Sequence, residues 1–194
     1  MSEQRVSSEL QIKHRHLPHW QIGGSIYFVT FRSHRGILPD EAKRLTIKHI
    51  LHDHGKKHFL HFGVVMPDHV HLLIEPLRRS EETWHDLSAI MKSIKGVSSR
   101  RINQFLGTLG NLWQDESYDR IMRDEAEYLE KLNYIWNNPV KVGLVSNPED
   151  YEFYVYPEWG RAQVSCPSEG YCLGQTRVSG PPTSHSKQQG SANA

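Results

Sequence analysis

Cysteine is scarce in this 194-residue sequence: Cys166 and Cys172 are the only two, both in a polar C-terminal stretch. Their spacing matches neither a zinc knuckle nor a CxxC redox pair, so they read as incidental. Long apolar runs are missing as well. Nothing approaches the roughly 18 residues of a membrane span, and the N-terminus MSEQRVSSEL lacks the apolar core of a signal peptide. These absences exclude a membrane partner and point to the cytoplasm. There are no internal repeats, and there is no bulk charge of one sign, the net charge being +1 at pH 7.

That neutrality hides an asymmetry. Residues 1–110 carry +6, residues 111–160 carry −7, and residues 161–194 carry +2. A basic front suits a localised polyanion surface, although two ordinary solvated faces would give the same tally. Apolar residues make up 37% of the chain, which at this length suits one domain with a proper core.

The order of patterns is strand, helix, strand pair, helices. SIYFVTFR (25–32) is aromatic and β-branched, entered through Gly23-Gly24. Pro39-Asp40-Glu41 opens a helix over about 42–54, with Leu45, Ile47, Ile50 and Leu51 available to a core. HFLHFGVVM (58–66) and HVHLLIEP (69–76) flank Pro67-Asp68, a connection short enough for an antiparallel hairpin. A second helix is expected over about 84–107, with Leu87, Ile90, Met91, Ile94, Ile102 and Phe105 in its core and a break near Gly96. A loop carrying Trp113 leads to a third over about 124–138, ending before Pro139. The expected architecture is an α+β sandwich with helices over one face of an antiparallel sheet. Residues 1–20 form an arm, 21–160 the folded domain, and 161–194 a Ser/Gly/Pro/Gln-rich tail expected to be disordered.

Histidine is plentiful, at 13 residues. His69 and His71 are one residue apart in a strand, so they share a face, about 7 Å apart. Val70, Leu72 and Ile74 then take the core side. His-x-His on a strand can hold one metal ion by two nitrogens. Spacing alone fits two satisfied, half-exposed histidines equally well. His49, His52, His54 and His58, and His14, His16 and His19, have no ligand spacing and are expected on the surface.

The segment DEAEYLEKLNYIWNNP (124–139) carries the second constellation. At about 100° per residue, Tyr128, Leu129, Leu132, Ile135 and Trp136 form one apolar stripe. Tyr134 falls on the opposite, polar side with Glu127, Glu130, Lys131 and Asn138. Asn138 lies one turn beyond Tyr134 on the same face. Taken singly, a surface tyrosine and a capping asparagine explain these residues. Taken with the histidine pair, they suggest a divalent cation, Mg²⁺ or Mn²⁺, held by His69, His71 and Asn138. Such a cation would polarise a phosphodiester for attack by Tyr134 and a covalent phosphotyrosine step.

PDHVHLLIEP (67–76) resembles the His-hydrophobic-His motif of HUH nucleases, and YIWNNPVKVGLV (134–145) the catalytic-helix signature of single-tyrosine transposases. With HLPHWQIGGSIYFVTFR (16–32) and LWQDESYDRIMR (112–123), the chain resembles the REP-associated tyrosine transposases over about residues 14–160. The resemblance implies a ferredoxin-like α+β fold with residues 21–160 as the catalytic domain, His69 and His71 as metal ligands, Asn138 as the third ligand, and Tyr134 as nucleophile. It implies single-stranded DNA with hairpins, REP-like palindromes, as partner, cut to a 5′-phosphotyrosine and a free 3′-OH by a monomer or homodimer. Arg15, His16, His19 and Trp20 are candidates for reading a guide sequence. Lys92, Lys95, Arg100 and Arg101 are candidate phosphate contacts, and Trp20 and Trp113 candidate base-stacking residues or core. The alternatives are a catalytically silent hairpin-binding protein, an HUH replication initiator or relaxase-like nickase, and a metal-dependent hydrolase with no covalent step.

Overall fold

The computed structural model describes residues 11–14 and 18–157, with side chains from Ile22 onward. The expected tail, both cysteines, Arg15 and His16 lie outside the described residues, as do the side chains of His14, His19 and Trp20. A small hairpin of β1 (Gln11–His14) and β2 (Pro18–Gln21) straddles the expected boundary between arm and domain.

The strands and helices then run β3 (Tyr27–Arg32), α1 (Asp40–His52), β4 (His58–Val65), β5 (His69–Pro76), α2 (Leu87–Leu106), β6 (Tyr118–Ile121), α3 (Glu125–Lys141) and β7 (Tyr154–Val155). The five-stranded sheet has the order β6-β3-β5-β4-β7 with every neighbouring pair antiparallel. The path from β3 to β6 is therefore a βαββαβ unit, the ferredoxin-like arrangement that the resemblance implies. No described helix is long and apolar enough to cross a membrane.

Local chemistry sets the ends of these elements. The Asp86 side chain caps α2 by accepting from the Ser88 amide, and Gly107 closes it in the left-handed region at φ 64°. Asp124 caps α3 in the same way through the Glu127 amide. At Gly63 in β4, an added Cβ would stand 2.6 Å from Leu72 Cδ2 and 2.9 Å from the His71 carbonyl oxygen. Only glycine lets β4 lie this close to the strand carrying the histidines.

Alternation divides the sheet into two unlike faces. Tyr27, Val29, Phe31, Val70, Leu72 and Ile74 point to one side and are all essentially inaccessible to solvent. That side meets α2, where Phe31 packs edge-on to Trp113 and the Trp113 indole donates to Ser98 Oγ. α1 packs against α2. Phe28, Thr30, Arg32, His69 and His71 point the other way, toward α3.

Several expectations are corrected. The helices do not all lie over one face, because α3 has its own aromatic contacts on the histidine side. α2 passes through Gly96 unbroken, since its buried residues continue in register on both sides. Phe105 is exposed, lying past the point where α2 still covers the sheet. The expected loop after α2 contains β6, whose half-exposed edge-strand pattern carries little hydrophobic signal. Trp113 is core, 3% exposed, and so is unavailable for base stacking. His58 is fully buried rather than on the surface, its Nε2–H donating to the Ile50 carbonyl.

Candidate active site

His69 and His71 occupy the start of β5, and both rings turn to the α3 side with centroids 4.6 Å apart. Pairing with β3 sets Arg32 opposite His69 and Thr30 opposite His71. Each imidazole is fixed through Nδ1. His69 Nδ1–H donates to Asp68 Oδ1 at 2.6 Å, and His71 Nδ1 lies 2.7 Å from Thr30 Oγ1. A histidine anchored through one nitrogen presents the other, which is how metal-ligating imidazoles are held.

His71 is 4% exposed, and its Nε2 is buried without a partner. Burial pushes its pKa down to about 3, with the charges of His69 and Arg32 acting in the same direction. The ring is therefore neutral near pH 7, the form that ligates. At Asp68, burial opposes ionisation, but the hydrogen bond from His69 and the charges of His69 and Arg32 outweigh it. The carboxyl stays below its ordinary range.

Tyr134 comes to this pair from α3. Its ring centroid lies 5.2 Å from that of His71 and 5.9 Å from that of Phe28, which itself stacks on His71 at 5.3 Å. The Lys141 ammonium sits 5.1 Å from the Tyr134 centroid. The Tyr134 hydroxyl has no hydrogen-bond partner among the described residues. One turn on, Asn138 is 5% exposed with its Oδ1 buried and unpartnered.

The orientation of α3 differs from the expected stripe. Its buried residues are Glu127, Ile135, Trp136, Asn138 and Pro139. The side carrying Glu127, Tyr134 and Asn138, read from the sequence as the polar face opposite the apolar stripe, is turned toward the sheet. The polar residues on it are accommodated locally. Glu127 Oε1 pairs with Arg120 at 2.6 Å, and its Oε2 accepts from the Arg123 amide and guanidinium. These hydrogen bonds, with the nearby arginine charges, hold the Glu127 carboxyl below its usual range. The helix also runs three residues past its expected end. Pro139 sits in the last turn, where a missing N–H removes one bond, and its buried ring compensates by packing.

The basic residues of α2 do not form one patch. Lys92 and Arg100 are exposed, Arg101 lies by Gln104, and Lys95 Nζ donates to the Asp115 carbonyl and Ser117 Oγ. Sequence reasoning missed Phe28, Thr30, Arg32 and Asp68, which complete the surroundings of the histidines. The available signal was the alternation of FVTFR, which shares β3's register with β5.

Whether these residues suit a divalent cation can be tested on their unsatisfied atoms. Buried polar atoms are nearly always partnered, yet His71 Nε2 and Asn138 Oδ1 are both orphaned on elements joined by the Tyr134–His71 contact. An orphan alone is weak support, since His58 Nδ1 is another. What distinguishes His71 is its company: a second anchored imidazole and a tyrosine whose helix carries the Asn138 amide one turn on. Among the described residues there is no group of three His, Cys, Asp or Glu able to hold a metal. The donor set is two imidazoles and a neutral amide, and it fits a cation that keeps open positions for phosphate oxygens.

The family model described as "Transposase IS200 like" matches residues 26–138, which include β3, both histidines, Tyr134 and Asn138. The chain belongs to the IS200-like transposase family. Among its relatives, a REP-associated tyrosine transposase of Escherichia coli (strain K12) is 30% identical over 48% of this chain and 51% of its own length. A Haemophilus influenzae protein, with REP-associated tyrosine transposase in its description, is 27% identical over 50% of this chain and 63% of its own length. The chain thus spans between about half and two thirds of these curated relatives. In fold, this chain is similar to the structure of a REP-associated tyrosine transposase bound to a REP hairpin. That match has a TM-score of 0.57 and 24% identity, and covers 75% of this chain and 88% of the other.

Proposed function

We propose that this chain is a single-stranded DNA endonuclease and strand transferase that cuts beside hairpins, with Tyr134 as the nucleophile. The observation that carries the proposal is the convergence of the Tyr134 ring on His71, whose Nε2 is buried and unpartnered along with Asn138 Oδ1. His69, His71 and Asn138 would hold Mg²⁺ or Mn²⁺, which when bound supplies Lewis-acid polarisation of a phosphodiester.

The chain's own groups supply the rest. Tyr134 Oη attacks phosphorus as its proton leaves, and the bond from phosphorus to the 3′-oxygen breaks. That oxygen takes up a proton, so the products are a 5′-phosphotyrosine and a free 3′-OH. The number of phosphoester bonds is unchanged, and a second 3′-OH can reverse the step without ATP. Phe28 and His71, stacked on each other, both meet the Tyr134 ring edge-on, which keeps the hydroxyl in place for attack. Lys141 sets positive charge beside the ring, where an anionic backbone would approach. Residues 21–160 form the catalytic unit in this proposal, acting in the cytoplasm on a DNA substrate.

The test is a denaturing gel after incubating the full chain with hairpin-bearing single-stranded DNA and Mg²⁺ or Mn²⁺. A covalent protein–DNA adduct is expected, and it should vanish in Tyr134→Phe. Hairpin binding without an adduct would identify a binding-only protein. Cleavage that survives Tyr134→Phe would identify a hydrolase.

A further inference from the structure

Arg32 ends β3 directly across from His69, and Asp68 lies between them in the turn before β5. One oxygen of the Asp68 carboxylate accepts from His69 Nδ1 at 2.6 Å, and the other pairs with Arg32 Nη1 at 3.2 Å. The backbone ties the same corner, since the Ser33 amide donates to the Asp68 carbonyl. A single carboxylate thus orients both an imidazole and a guanidinium on the α3 side of the sheet.

As a structural ion pair this arrangement does little. Both side chains are about half exposed, at 53% and 45%, and exposed pairs contribute little to stability. Arg32 spends one of its five N–H donors on Asp68 and directs the others at no group among the described residues. Cross-strand neighbours on one face have Cβ atoms about 4.5–5.5 Å apart. The free end of Arg32 is therefore within side-chain reach of any group seated on His69. A guanidinium with spare, fixed donors beside such a site has the chemistry of a phosphate clamp.

We propose that Arg32 grips a non-bridging oxygen of the phosphate under attack, and that Asp68 is the positioning residue that aligns Arg32 and His69 together. The inference rests on the proposed Tyr134 chemistry and adds the residue that recognises the scissile phosphate. A general polyanion contact would serve any phosphate along the strand, whereas this clamp serves one.

The experiment uses the full chain and a hairpin oligonucleotide whose cleavage position is first mapped by the wild-type adduct. Affinity is then measured without divalent cation in a Tyr134→Phe background, for normal DNA and for DNA with a neutral methylphosphonate at the mapped position. Arg32→Ala should weaken binding of normal DNA on the order of tenfold and bring no further loss on methylphosphonate DNA. With Tyr134 restored and DNA saturating, Arg32→Ala should slow adduct formation on the order of a hundredfold, and Arg32→Lys should recover only part of this. Asp68→Asn should lower both DNA affinity and Mn²⁺ affinity, whereas Arg32→Ala leaves Mn²⁺ affinity unchanged. An equal Arg32→Ala penalty on both DNAs, or an unchanged adduct rate, overturns the clamp while the Tyr134 chemistry stands. Absence of any wild-type adduct overturns the chemistry and the clamp with it.

Discussion

The two faces of the sheet are built from alternate residues of the same strands, yet they obey opposite rules. On the α1/α2 side, Val29, Phe31, Val70, Leu72 and Ile74 are apolar and closed to solvent. On the α3 side, Thr30, Arg32, His69 and His71 are polar, and His71 leaves a buried nitrogen unpartnered. The first face concentrates stability. The second tolerates unsatisfied polarity at a cost the first can cover, and it is there that a ligand could contribute free energy. The comparison extends to two buried histidines. His58 spends its N–H on the Ile50 carbonyl within the α1 side, whereas His71 stands between the rings of His69 and Tyr134.

The largest expected effect separates chemistry from folding. Tyr134→Phe should abolish the covalent DNA adduct while leaving the denaturant midpoint unchanged, because the hydroxyl has no partner among the described residues. Leu72→Ala on the opposite face should do the reverse. It should cost about 2–5 kcal/mol in urea unfolding, with adduct formation retained wherever the chain remains folded. Equal stability losses from both substitutions would erase the distinction between the faces.

Acid should act on both faces. Burial lowers the pKa of His58 to about 4 and that of His71 to about 3, while each titrates near 6.5 when unfolded. Protons therefore bind the unfolded chain first as pH falls. Stability should decline below about pH 6.5 and keep falling toward pH 4, by on the order of 3 kcal/mol for His58. Chemical denaturation at a series of pH values measures this. Part of the decline should persist in His71→Leu if His58 contributes from its own face.

His71→Leu sharpens the contrast further. The substitution removes an unpartnered nitrogen but also the hydrogen bond to Thr30 Oγ1, so the two effects should offset to within about 1 kcal/mol in the absence of metal. Mn²⁺ should raise the melting temperature of the wild type and leave that of His71→Leu unmoved. A loss of several kcal/mol in metal-free His71→Leu would mean that the histidine is structural. The smallest effect belongs to α2, remote from either distinction. Lys92→Ala or Arg100→Ala should each reduce the salt slope of single-strand binding by about 0.7 if it meets a phosphate. Lys95→Ala should also loosen the loop before β6, since it removes the bonds to Asp115 and Ser117.

Much of this was legible in the chain itself. Alternation placed His69 and His71 on one face and Val70, Leu72 and Ile74 on the other, because a strand's two-residue period is set by local geometry. The hairpin around Pro67-Asp68 and the strand, helix, strand pair, helix order followed from turn residues and pattern lengths, whereas edge strand β6 carries too little hydrophobic pattern to be seen. One-turn spacing put Tyr134 and Asn138 together on α3. The sequence could not say which way α3 turns. Its apolar stripe put Tyr134 on the opposite, polar side, but what that side meets depends on every surface the helix packs against. Glu127 paired with Arg120 and Arg123 lets a polar side go inward. Nor could it place Thr30 beside His71 or Arg32 beside Asp68, since strand register joins residues about 40 positions apart. Local period and spacing determined which side chains travel together; only tertiary packing decided what they meet, because that free energy is shared among distant segments.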